Sequence, residues 1–201
     1  MNMDVLRSYL REYLFERLEL KSYTSYCELV SQAYDEAPDY DPEAVSSYNA
    51  LMQHIEKMYK QIQSRIKVEF VSGQPYSTAK EMKDDLEETG ILKISTEHNS
   101  HSVFSPEQNL KFRAVHDYIV HVLTGRDFSE RGEVGAYNAH AKMVPPAAIP
   151  ALFTEVLAQA CYANARGTFP KQKIAILKGF DFYNVGKVEG WDIKDKTMVK
   201  K

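Results

Sequence analysis

Residues 112 to 125 read FRAVHDYIVHVLTG and place His116, Asp117 and His121 within six positions, although the whole chain holds only six histidines. Imidazoles and a carboxylate at that density could bind a divalent ion or move a proton. The geometry of a regular helix restricts how. At about 100° per residue, Asp117 and His121 share a face, roughly opposite an apolar stripe of Phe112, Val115, Ile119 and Val122. His116 lies about 140° from His121 by the same count. The spacing therefore favours Asp117 with His121 as a pair, or His116 alone with groups from another helix.

Two further segments repeat the pattern. In RGEVGAYNAHAKM, Glu133, Tyr137 and His140 fall at i, i+4 and i+7, on one helical face. In TEVLAQACY, Glu155, Gln159 and Tyr162 have the same spacing. Three consecutive helices thus each carry a polar stripe with a carboxylate, and two of the stripes carry histidine. Helix bundles build metal sites from inward-pointing Glu, Asp and His in this way. The same stripes also suit the outer faces of surface helices. Composition separates the two readings: from Ala136 to Ala165 the only charged residues are Lys142 and Glu155. A helix that is nearly apolar all round is buried, and a carboxylate inside it needs an ion, an arginine or water.

The elements that must position these groups can be read from periodicity and caps. Helices are expected over 3–20, 23–34 and 42–66, the last opened by Asp41 and Pro42. His54 lies on that third helix, where it reads as a surface or packing residue. Strands are expected at 68–71 and 91–96, flanking a charged helix that starts after Ser77 or Thr78 and ends at Gly90, a small β-α-β unit. EHNSHS at 97–102 reads as a loop, whose His98 and His101 are three apart but more commonly solvated than ligating. Ser105, Pro106 and Gln108 form a capping box for the helix that carries His116 and ends at Gly125. Further helices are expected over 129–143 and 147–165, with a shorter one, KQKIAILKG, after Pro170. The fold class is mainly α (α+β): an N-terminal helical part (1–67), the β-α-β element (68–96), a C-terminal bundle (105–180) and a solvated tail (181–201), in one domain.

Charge and composition narrow the partners. A formal net charge of −3 and a pI near 6.1 argue against a broad nucleic-acid surface. No apolar run reaches the roughly 18 residues of a membrane span, and the first residues lack the pattern of a signal peptide. Cys27 and Cys161 are too few and too far apart for a disulfide framework or a thiolate zinc site, so they read as buried thiols from a reducing cytoplasm.

In that order along the chain, NLKFRAVHDYIVH, GEVGAYNAH, LFTEVLAQ and FPKQKIAIL resemble a domain of large polyvalent proteins of bacteriophages and conjugative elements, and AYDEAPDYDP and YSTAKEMKDDLEETGILKIS fit its upstream part. The resemblance spans roughly 30–180. Its pattern is HD, three residues, H; then GE, an aromatic and H; then TE and Q. His116, Asp117, His121, Glu133, His140, Glu155 and Gln159 match it. Val120 stands where glycine is expected, Tyr137 where tryptophan is, and Leu157–Ala158 where Arg-Gly is. These departures leave the candidate ligands intact and alter the surroundings of any pocket. The resemblance implies a phage or mobile-element setting, in the host cytoplasm or the virion, and no particular reaction.

Two functions from different classes are expected. One is a metal-dependent hydrolase whose Zn, Mn or Fe ion is held by His116 or His121, His140 and one or two of Asp117, Glu133 and Glu155. Gln159 supports the ligands, Glu133 is the preferred general base, and Tyr137 donates to developing negative charge. The other is a non-catalytic virion-associated or host-binding protein whose polar stripes form a satisfied buried network. A di-metal oxidative carboxylate site ranks lower, because neither Glu133 nor Glu155 has histidine three residues on. A phosphohydrolase of the HD type rests on the His116–Asp117 dipeptide alone.

Overall fold

A computed structural model describes residues 23–97, 99, 104–194 and 197–201. The helix expected over 3–20 and the loop histidines His98 and His101 lie outside them. Helix α1 covers Tyr23–Glu36. A 3-10 turn, Pro42–Ala44, then feeds α2, Val45–Gln63. Asp41 caps that turn as expected, its carboxylate accepting from the Glu43 N–H at 2.9 Å. The buried face of α2 is the apolar stripe read from periodicity, including Tyr48, Leu51, Ile55 and Ile62.

Strand β1 (Lys67–Val71), α3 (Ala79–Thr89) and β2 (Ile91–Ser95) form the β-α-β unit. The strands pair in parallel, from Lys67 opposite Ile91 to Val71 opposite Ser95. Thr78 caps the start of α3, and Gly90 ends it at φ 70°, a left-handed conformation open to glycine. Leu92 and Ile94 alternate inward on β2 and tie the unit to the core.

Helix α4 (Pro106–His116) opens on the expected capping box: the Gln108 N–H donates to Ser105 Oγ at 3.2 Å, and the Ser105 N–H donates to Gln108 Oε1 at 2.9 Å. It runs directly into a π-helical turn, Asp117–Val122. Helix α5 is Glu130–Ala141. The last long helix has three parts: α6 (Ile149–Leu152), a second π-helical turn (Phe153–Ala158) and α7 (Gln159–Arg166). α1 packs on α7, and α2 packs on α4 and α6. One contiguous cluster of buried residues runs from Tyr26 to Val185 and encloses the free thiols Cys27 and Cys161. The protein is therefore mainly α with a small two-stranded parallel sheet.

One expected helix is replaced by another structure. KQKIAILKG is not a helix but an extended strap across the bundle. Its backbone groups find tertiary partners instead: the Ile174 N–H donates to the Asp39 carbonyl at 2.9 Å, the Asp41 N–H to the Ile174 carbonyl at 2.7 Å, and Thr154 Oγ1 to the Ala175 carbonyl at 2.8 Å. Lys173 Nζ caps the end of α1 through the Tyr34 carbonyl at 2.7 Å and the Ala37 carbonyl at 2.5 Å. Those bonds replace the ones a helix would supply. The tail, expected as a solvated end, carries an antiparallel pair, β3 (Trp191–Lys194) and β4 (Thr197–Lys200), that buries Met198 while Lys194, Lys200 and Lys201 stay exposed. Among the described residues no helix is long and apolar enough to cross a membrane.

Candidate metal centre

The π-helical turn overturns the pairing expected from a regular helix. In a π turn the backbone N–H bonds to the carbonyl five residues back, and the Leu123 N–H does so with Tyr118. Residues five apart then stack on one side. His116 and His121, separated by a wide angle on an α-helix, have ring centroids 5.2 Å apart here. The favoured pair of Asp117 and His121 gives way to His116 and His121. Turns of this type occur often at functional sites.

Glu133 on α5 completes the arrangement. Its Oε1 lies 3.5 Å from His121 Nε2 and its Oε2 lies 3.6 Å from His116 Nε2. One ligand atom from each of the three residues lies within 4.8 Å of the other two. Both contacts exceed the usual hydrogen-bond range. They match ligand atoms around one tetrahedral ion, which at about 2.0–2.2 Å from the metal stand roughly 3.3–3.6 Å apart.

Protonation sharpens the picture. His121 Nδ1 lies 2.9 Å from the Arg126 carbonyl oxygen. A carbonyl only accepts, so Nδ1 carries the proton and Nε2 faces Glu133 as a bare lone pair. Burial, with His116 adding, depresses the His121 pKa to about 4, so the ring is neutral at neutral pH. Burial works to raise Glu133, but the two imidazoles outweigh it and hold the carboxylate below its ordinary value. Burial also opposes charge on His116, and Glu133 overrides it, raising that pKa. Asp117, half-buried beside them, is pushed up to about 6 by burial, with His116 lowering and Glu133 raising it.

The loop after the π turn places the Arg126 carbonyl, and two glycines let it come down onto α5. A Cβ on Gly132 would stand 2.1 Å from the Asp127 carbonyl oxygen, and one on Gly135 would stand 2.7 Å from Arg126 Nε. Ser129 caps α5, accepting from the Gly132 N–H at 3.2 Å. Phe128 stands edge-on to His121 at 4.6 Å. Sequence reasoning missed this loop. Its available signal was GEVG, since two glycines inside a helix weaken it and call for a packing reason.

The other expected site residues divide. His140 is buried beside the triad, its ring centroid 6.4 Å from that of His116, but it is not among the three clustered ligands. Asp117 lines the same cleft outside the triad. Glu155 and Gln159 belong to a separate hydrogen-bond network. The Tyr48 hydroxyl lies 2.8 Å from Glu155 Oε1 and 2.9 Å from the Lys173 carbonyl, while Gln159 Nε2 donates to Glu155 Oε2 and Gln172 Oε1, each at 3.0 Å. Tyr137 turns away altogether: its hydroxyl donates to the Phe182 carbonyl at 2.6 Å, and it does not line the cleft. It is therefore not placed to donate to a reacting group at the triad. Glu133, expected as a ligand or, by preference, as the general base, is one of the three clustered side chains. His54, read as a surface or packing residue, is half-buried with its ring 6.1 Å from His140.

The triad opens onto a cleft of about 640 Å³. Tyr76, Arg113, Gln159 and Gln172 line it, and Phe128 and Phe169 are its exposed aromatics. Compared with protein-family models, with curated proteins and with solved structures, the chain matches none.

Proposed function

We propose that this protein is a metal-dependent hydrolase whose divalent ion is held by His116 Nε2, His121 Nε2 and the Glu133 carboxylate, acting in the phage or mobile-element setting that the sequence resemblance implies. One observation carries the reading. A neutral imidazole, its tautomer set by the Arg126 carbonyl, aims a lone pair at an ionised carboxylate across 3.5 Å. Two acceptors face each other there, and a cation between them turns repulsion into coordination. A histidine that donates its second nitrogen to a backbone carbonyl is the usual form of an imidazole ligand.

Two imidazoles and one carboxylate leave a coordination position for water or substrate, and the ion would lower the pKa of a bound water. Zn, Mn and Fe all suit this donor set. Asp117, the cleft carboxylate next to His116, is left to accept the proton of the attacking water in the role first expected of Glu133. The non-catalytic alternative draws on the Tyr48–Glu155–Gln159–Gln172 network, whose buried carboxylate is met by hydrogen-bond donors from Tyr48 and Gln159.

Chelator-treated protein titrated with Zn²⁺, Mn²⁺ and Fe²⁺ tests the proposal. Wild type should take up one equivalent, and His121→Ala and Glu133→Gln should bind at least about 100-fold more weakly. The loaded protein should then cleave a phosphoester or peptide reporter that the metal-free protein leaves intact. A folded wild type that binds none of the three ions refutes the metal centre. A loaded protein inert toward every reporter favours the binding protein.

A further inference from the structure

Four of the six histidines form one file: His121, His116, His140 and His54, with successive ring centroids 5.2, 6.4 and 6.1 Å apart. His121 and His116 face the cleft. His140, on α5, is fully buried, and His54 lies beyond it on α2. His121 has its Nδ1 partner in the Arg126 carbonyl. The rest of the file is different: His116 Nδ1, both ring nitrogens of His140 and His54 Nε2 are buried without a hydrogen-bond partner among the described residues.

Buried polar groups are almost always satisfied, and a gap too long for a direct bond between two of them is the usual place of a bridging water. Ring centroids 6.4 and 6.1 Å apart leave more than a direct N–H···N bond would span and about what one water needs. With His116 Nε2 given to the ion of the proposed centre, its Nδ1 carries the proton, and the donor and acceptor inventory closes along the file in one direction. His116 donates its Nδ1–H to a first water, which donates a hydrogen bond to one nitrogen of His140. The other nitrogen of His140 gives its N–H to a second water, which donates to His54 Nε2. Burial keeps both His140 and His54 neutral, with the nearby His116 and Lys57 acting in the same direction on each.

We infer that two buried waters join His116, His140 and His54, and that His140 is thereby a positioning residue that fixes His116 as the Nδ1–H tautomer. The inference rests on the proposed metal centre and deepens it. His121 is set as a ligand by a backbone carbonyl, and His116 is set by hydrated histidine from the far side. Such supporting partners are worth about 10–100-fold in metal affinity. His140 touches neither the ion nor a substrate in this arrangement.

The test uses full-length protein labelled with ¹⁵N, together with His140→Phe, which keeps a ring without nitrogens, and His140→Gln, which keeps a donor and an acceptor. Long-range ¹H–¹⁵N correlation on zinc-free protein at pH 9 reads the tautomer of each imidazole. Wild type should show His116 protonated on Nδ1, against the pull of the Glu133 carboxylate 3.6 Å from Nε2. His140→Phe should lose that preference and bind Zn²⁺ about 10–100-fold more weakly, and His140→Gln should recover most of both. His116 in the Nε2–H form in wild type overturns the inference without any variant, even if His140→Phe fails to fold. Unchanged tautomer and zinc affinity in folded His140→Phe also overturns it and leaves the metal centre standing. A wild type with the Nδ1–H tautomer that takes up no Zn²⁺ removes the metal reading and retains the hydrated file.

Discussion

Replacing Gly132 by alanine tests whether the triad depends on the loop that lies on α5. The new methyl would meet the Asp127 carbonyl oxygen at 2.1 Å and Asp127 Oδ1 at 2.4 Å. The side-chain oxygen can rotate aside, but the backbone oxygen cannot. It must retreat by about 1.3 Å to reach an ordinary contact. The Arg126 carbonyl is attached one residue earlier, and its 2.9 Å bond to His121 Nδ1 does not survive a displacement of that size. Overpacking costs about 1–3 kcal/mol and the lost hydrogen bond about 1 kcal/mol, so unfolding stability should fall by roughly 2–4 kcal/mol. His121 also loses the partner that selects its ligand tautomer, so zinc affinity should drop about 10–100-fold. Urea unfolding of the metal-free protein and a zinc titration measure the two effects separately. A Gly132→Ala protein with wild-type stability and wild-type zinc affinity would refute the claim that this loop sets the ligand.

Three other outcomes are expected. Tyr48→Phe removes a buried hydroxyl shared by Glu155 and the Lys173 carbonyl, and should cost about 1–3 kcal/mol in chemical unfolding while zinc binding stays unchanged; a matching loss of zinc affinity would show that the two polar clusters are one. His54 has its pKa lowered to about 4 by burial and by Lys57, against an ordinary 6.5, so the folded state favours its neutral form. Its contribution is fully present above pH 6.5 and is lost as pH falls toward 4, so wild type should lose stability relative to His54→Gln across that window, by up to about 1.4 kcal/mol per pH unit; a pH-independent difference in urea midpoints would contradict the burial of His54. Lys173→Met should destabilise the protein by about 1.5–3 kcal/mol through the uncapped carbonyls of Tyr34 and Ala37, seen as a lower unfolding midpoint, and an unchanged midpoint would mean that the strap does not anchor α1.

What could be read from sequence follows from what is local. The capping box at Ser105, the proline-led entry to α2 and the glycine end of α3 are short-range devices, and each stands where its residues put it. The burial of Glu155 was legible too, because a long stretch without charge can only be interior. The strap at 171–179 was not, since its pattern is helical and only distant carbonyls and N–H groups hold it extended. His116, His121 and Glu133 were each visible as candidates, but their partnership was not. It depends on a change of helical pitch that a fixed angle per residue does not contain.

The π turn between His116 and His121 can also be seen as a helix carrying one residue more than its length requires. Take one residue out of that segment and the helix relaxes to α, with its histidines four apart and again on one face. The same two rings are thus presented by two different sequence lengths, so the geometry outlasts the spacing. A pattern that counts residues between histidines will recognise only one of them. The other has to be found by asking where the surplus residue lies, and in this chain it lies in the turn that carries the helix from His116 to His121.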